Sequence, residues 1–158
     1  MVSVITALFT NNVFVSVLLA GSVSQLVKIF IFKFKYHRNK KKSKNNNPLE
    51  FDFNDWIVTG GMPSAHSALV GSLATIIWLN EGFSSLFFVV ITFSLIVLRD
   101  AIGVRRSVGE EGKLIEKIAK SENIEASKFR YSLGHNPIEV FVGLVIGFIC
   151  AVFSCIVF

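Results

Sequence analysis

The sequence predicts an all-α integral membrane protein: a helical bundle of about four transmembrane helices with a short amphipathic helix beside it. Three observations carry this. Apolar residues make up 52% of the 158 residues and charged ones only 17%, with a mean hydropathy of +0.59, a balance foreign to a soluble domain of this size. The apolar residues gather in long runs nearly free of charge. All 16 Lys and Arg residues fall in two stretches between those runs or at the run ends that feed them. A chain of 17.5 kDa has room for a single membrane domain.

The runs cover residues 13–34, 63–79, 83–98 and 137–158, each near or somewhat below the ~20 residues that carry a helix across a bilayer. Lys28 is the first charged residue, so the opening segment lacks the basic lead of a cleavable signal and reads as a retained helix. Residues 35–55 hold a basic run and three consecutive asparagines, a composition expected to form a flexible loop. Asn80-Glu81-Gly82 leaves space only for a tight turn, so the second and third helices form an antiparallel hairpin. Within the loop 99–136, residues 110–120 mix both charge signs with Leu114, Ile115 and Ile118 at helical spacing, as in an amphipathic helix on a membrane surface. The glycine pair Gly143 and Gly147, with Ala68, Gly71 and Ser72, favours close helix packing.

With four spans the two basic stretches share one side, and the hairpin turn opposite carries only Glu81. The positive-inside rule then makes that side cytoplasmic, and a bacterial inner or plasma membrane is the expected location. The net charge of +5 is clustered beside apolar runs, which favours membrane lipids as partners over nucleic acid.

Every chemistry-bearing motif falls on the basic side. Gly60-Gly61-Met62-Pro63-Ser64-Ala65-His66-Ser67 reads as a loop opening a helix, with Pro63 in the first turn. Such a helix start presents free N–H groups to an anion, to which Ser64 adds a hydroxyl and His66 a proton source near neutrality. A serine-capped helix with an incidental histidine is the alternative. In Gly134-His135-Asn136-Pro137-Ile138-Glu139, Asn136 caps the last helix, Pro137 opens it, and Glu139 lies in the first turn within reach of His135. A carboxylate holding one imidazole nitrogen frees the other for nucleophilic attack, although a helix dipole alone also accounts for Glu139. In Arg99-Asp100-Ala101-Ile102-Gly103-Val104-Arg105-Arg106, arginines suit the inner end of any span, whereas Asp100 beside an apolar run needs a partner. Gln25 and Lys28 lie one turn apart near the inner end of the first run, where Lys28 either snorkels or reaches a phosphate.

The three histidines and eleven acids show no metal-ligand spacing, so neither metal nor cofactor is expected. Phosphoryl transfer without a metal needs a nucleophile, an acid for the leaving oxygen and fixed positive charge. His135, His66, and Lys28 with Arg105 fit those roles, assisted by Ser64 and nearby backbone N–H groups.

Together, Gln25-x-x-Lys28, Gly60-Gly61-Met62-Pro63-Ser64-Ala65-His66-Ser67-Ala68, Asp100-Ala101-x-Gly103-Val104-Arg105-Arg106 and Gly134-His135-x-Pro137-x-Glu139-Val140-x-x-Gly143 resemble the divergent branch of the type 2 phosphatidic acid phosphatases, also described as acid phosphatase/vanadium-dependent haloperoxidase-related proteins. The resemblance runs from Gln25 to about Gly147. It implies a phosphohistidine mechanism with Lys28 clamping the phosphate, Ser64 and His66 as donor and general acid, and His135, oriented by Glu139, as nucleophile. Gly61, Asp100, Arg105 and Arg106 complete the substrate-binding candidates. Ala65 stands where the superfamily has glycine, Glu139 where it has aspartate, and Phe129 where it has an arginine six positions before the nucleophile. The second clamp is thus open among Arg105, Arg106, Lys128 and Arg130. The expected activity is hydrolysis of a lipid phosphate monoester or pyrophosphate. The alternative is a catalytically inactive membrane protein that binds or moves a phospholipid or other anion. Vanadate-dependent oxidation fits a reducing cytoplasmic face poorly.

Overall fold

The computed structural model describes residues 2–40, 61–122 and 135–158. Six helices follow in order: α1 Val2–Phe9, α2 Asn12–Lys40, α3 Ala65–Glu81, α4 Ser85–Ile102, α5 Val104–Ser121 and α6 Pro137–Val157. No strand occurs among the described residues.

Among the described residues three stretches are long and apolar enough to cross a membrane: Asn12–Phe34 in α2, Ser85–Ala119 beginning with α4, and Pro137–Val157, which is α6. Large apolar side chains such as Phe30, Leu95, Ile96, Phe141, Phe148 and Ile156 are exposed along them. In water such a surface would drive aggregation, whereas in lipid it faces its own solvent. The 17-residue α3, about 26 Å long at 1.5 Å per residue, packs against α2, α4 and α6 and sits at the centre.

Close approach at that centre comes from small residues. A side chain at Gly143 would collide with the Ser64 carbonyl, and one at Gly147 with the Ala68 carbonyl, so the α3 and α6 backbones touch where only glycine fits. Ser16 of α2 and Ser72 of α3 share a buried hydrogen bond of 2.6 Å, satisfying two hydroxyls that lipid could not solvate. At the end away from the motifs, the Asn12 and Asn80 amides bond each other reciprocally at 3.0 and 3.1 Å. There Ser154 Oγ also donates to the Asn12 carbonyl at 3.0 Å, tying α2, α3 and α6 together.

The helix ends follow local chemistry and differ from the sequence expectation in four places. An unexpected α1 precedes α2, and the two are separated at Asn11, whose Oδ1 accepts the Val13 and Phe14 N–H groups at 3.0 and 3.1 Å. The α2 helix runs on to Lys40, so the first residues of the expected 35–55 loop are helical, as the helix propensity of Lys and Arg allows; residues 41–55 lie outside the described residues. Pro63 precedes the helix it was expected to open, because Ser64 takes the N-cap and α3 starts at Ala65. The amphipathic helix α5 is longer than expected and begins directly after Gly103, whose N–H donates to the Arg99 carbonyl at 2.8 Å where α4 ends.

Candidate functional site at the joined helix ends

Two backbone hydrogen bonds and one close approach bring the four sequence motifs to one end of the bundle. The backbone N–H of Ser64, at the start of α3, donates to the Glu139 carbonyl in the first turn of α6 at 3.0 Å. The N–H of His135 donates to the Ala101 carbonyl in the last turn of α4 at 3.2 Å. From α2, Lys28 extends until its Cε lies 3.8 Å from where a side chain on Gly61 would begin, close enough to Glu139 for their charges to interact. Gly61 itself adopts φ +83°, a conformation that side chains disfavour, so the turn requires glycine.

At the centre of these links is a histidine–carboxylate pair. His135 Nδ1 lies 3.0 Å from Glu139 Oε2, and the imidazole is only 5% exposed. The same oxygen accepts the Asn136 N–H at 3.2 Å, so Glu139 caps its own helix while orienting the ring. Asn136 occupies the N-cap and Pro137 the first turn, which is why residues four apart meet at this helix entry. With Nδ1 facing the carboxylate, Nε2 is the ring nitrogen left for chemistry.

The Ser64 side chain is fully buried and works locally. Its Oγ accepts the Ser67 hydroxyl at 2.9 Å and, weakly, the Ser67 N–H at 3.4 Å. Ser64 thus caps α3, as in the alternative of a serine-capped helix. The N–H groups of Ala65 and His66 belong to the first turn, where a helix offers donors to an anion. His66 is half-buried and shares a face of α3 with Val70, whose carbonyl Ser94 of α4 approaches at 3.5 Å. Since α3 and α4 run antiparallel, one further turn brings His66 level with about Leu98, one turn short of the Ala101 that tethers His135.

Comparisons with known proteins identify the family. A family model described as the divergent PAP2 family matches residues 9–150. The chain belongs to that family. A relative within reach of sequence is the uncharacterized membrane protein YuiD of Bacillus subtilis (strain 168), 40% identical over 112 residues that span 59% of this chain and 71% of the relative. No solved structure matches the chain. This divergent PAP2 family protein is therefore an integral membrane protein on two grounds, its relative and its own apolar helices.

Not every candidate joins the cluster. Gln25 is exposed on α2, although it lies only one turn from Lys28. Asp100 is half-buried in the last turn of α4, next to the tethering Ala101. Arg105 and Arg106 start α5, but their side chains lie outside the described residues, as do Lys128, Phe129 and Arg130. Among the described residues no group of three His, Cys, Asp or Glu side chains is placed to hold a metal. The Ala101 carbonyl was not among the sequence candidates, because a backbone acceptor leaves no signature in residue type.

Proposed function

We propose that this protein is a membrane phosphatase that hydrolyses a lipid phosphate monoester or pyrophosphate through a phosphohistidine on His135. The observation that carries the reading is the 3.0 Å contact between His135 Nδ1 and Glu139 Oε2, on an imidazole whose backbone is fixed to Ala101. A carboxylate so placed holds the tautomer with Nε2 unprotonated and stabilises the imidazolium that attack creates.

In the first step the Nε2 lone pair forms a bond to phosphorus, the bond from phosphorus to the lipid oxygen breaks, and that oxygen takes a proton from His66. In the second, water gives a proton to His66 and attacks phosphorus; the P–N bond breaks and inorganic phosphate leaves. Lys28 and the first-turn N–H groups of α3 supply positive potential for the phosphate oxygens. The apolar spans around the site suit a substrate whose tail stays in lipid, and the basic stretches on the same side make that side cytoplasmic by the positive-inside rule.

The test is release of inorganic phosphate from a panel of lipid phosphates by purified protein in detergent, with and without chelator. It is paired with acid-quench trapping of labelled phosphate on histidine. Expected is turnover that survives the chelator, vanadate inhibition through phosphate mimicry, and a trapped label lost in His135→Ala. Full turnover by His135→Ala removes the nucleophile assignment.

Two observations favour a second reading, a phospholipid- or anion-binding membrane protein without turnover. His135 is almost wholly buried, and Phe129 stands at the superfamily's arginine position. Saturable binding of lipid phosphates with neither phosphate release nor a trapped label selects that reading.

A further inference from the structure

Helix α5 carries a surface that the chemistry of His135 does not use. Val104, Val108, Leu114, Ile115 and Ile118 lie on one face of it, at spacings of three, four and seven, and each is between 46% and 60% exposed. The helix is held along an adjacent edge, where Gly109, Gly112 and Ala119 are buried, so the apolar face stays open. Lys117, on the other side, is exposed, and the helix sequence holds five basic residues against three acidic ones.

We propose that α5 is an in-plane membrane helix that sinks this apolar face into the lipid interface beside α4. The occupant follows from continuity. The lipid-facing side of α4 exposes Leu95 and Ile96, and only Gly103 separates the end of α4 from Val104. A helix that starts where a span leaves the bilayer, with apolar groups on one face and lysines and arginines in excess, meets headgroups on one side and acyl chains on the other. Glu111 falls on the apolar face, and its carboxylate limits the helix to headgroup depth. Docking there also fixes the end of α4, whose Ala101 carbonyl holds the His135 N–H. The inference stands whether or not the protein turns over a lipid phosphate.

The test uses the full chain with Cys150→Ala and Cys155→Ser, in vesicles of phosphatidylcholine and phosphatidylglycerol. A nitroxide is attached to Ile115→Cys, Val108→Cys or Lys117→Cys in turn. Collision with oxygen, which concentrates in lipid, is compared with collision with a water-soluble nickel chelate. The oxygen-to-nickel ratio at Ile115→Cys and Val108→Cys is expected to be several-fold above that at Lys117→Cys. Equal ratios at all three positions overturn the proposal, low ones by putting the apolar face in water and high ones by putting the whole helix in lipid. Low access to both reagents, or spin–spin broadening at Ile115→Cys, overturns it by showing the face covered by protein. Two apolar positions are labelled so that one misfolded variant leaves the other to decide.

Discussion

His135 Nδ1 lies 3.0 Å from Glu139 Oε2, and that one oxygen also accepts the Asn136 N–H at 3.2 Å. Orientation of the ring and capping of α6 therefore rest on a single carboxylate, and two substitutions separate them. In Glu139→Gln an acceptor oxygen remains for the cap while the charge is gone. Under the phosphohistidine reading its kcat falls by about 10²–10⁴ with little change in Tm. Glu139→Ala loses the cap as well and gives up roughly 1 kcal/mol of stability in addition. Phosphate release and thermal unfolding in detergent read the two effects. A Gln variant with native kcat means that the pair is structural only.

That pair was legible from sequence because cap, proline and acid fall at fixed offsets from His135, and helix geometry converts those offsets into contact. Three of the four expected spans, those at 13–34, 83–98 and 137–158, were legible for a similar reason, since a bilayer demands a run of apolar residues whatever the tertiary packing. What sequence could not supply was direction across the bundle. Nothing in the residue types says that Ala101 would hold His135, or that Ser64 would give its N–H to Glu139, because both links are made by backbone atoms of elements far apart in the chain. Helix ends slipped where two signals competed. Pro63 and Ser64 both mark a helix start, and the serine, able to accept a hydrogen bond, took the cap. The Thr10-Asn11 pair that separates α1 from α2 was a readable capping signal within an otherwise apolar opening.

The α3–α6 contact yields a stability prediction. A Cβ on Gly147 would collide with the Ala68 carbonyl, which is backbone and has nowhere to go, whereas one on Gly71 would meet the Leu144 Cδ2 at 3.0 Å, a side-chain end that can turn, and the Leu144 Cα only at 3.3 Å. Gly147→Ala is therefore expected to cost about 1–3 kcal/mol and Gly71→Ala distinctly less. Unfolding midpoints in a common detergent rank the two. A reversed order would mean that the α3 and α6 backbones are farther apart than described.

The 2.6 Å bond between Ser16 and Ser72 is buried between α2 and α3, so a double-mutant cycle isolates it. Removing either hydroxyl leaves its partner to find another acceptor, and hydroxyls in helices do so by bonding back to their own backbone. Each alanine variant is expected to lose about 0.5–1.5 kcal/mol, and the double variant less than the sum, with a coupling of roughly 0.6 kcal/mol. Strict additivity would show that the two serines act independently.

Two glycines with positive φ offer a comparison between site and scaffold. Gly61 has φ +83° at the Lys28 end of the bundle, and Gly82 has φ +65° in the turn before α4, with nothing within 4 Å of an added Cβ. Alanine at either position carries a backbone penalty for the positive φ, and at Gly82, whose ψ of −142° lies outside the left-handed helical region, it is about 1–3 kcal/mol. Only at Gly61 does the new methyl group face a lysine, whose Cε is 3.8 Å away, and only there does the turn lead into the donors at the start of α3. Gly61→Ala is thus expected to lower kcat/KM for a lipid phosphate several-fold beyond any loss of folded protein. Gly82→Ala should show a clear fall in Tm with kcat/KM unchanged once corrected for folded fraction. If both variants lose activity in proportion to stability alone, the Gly61 turn is scaffold and the phosphate is bound elsewhere.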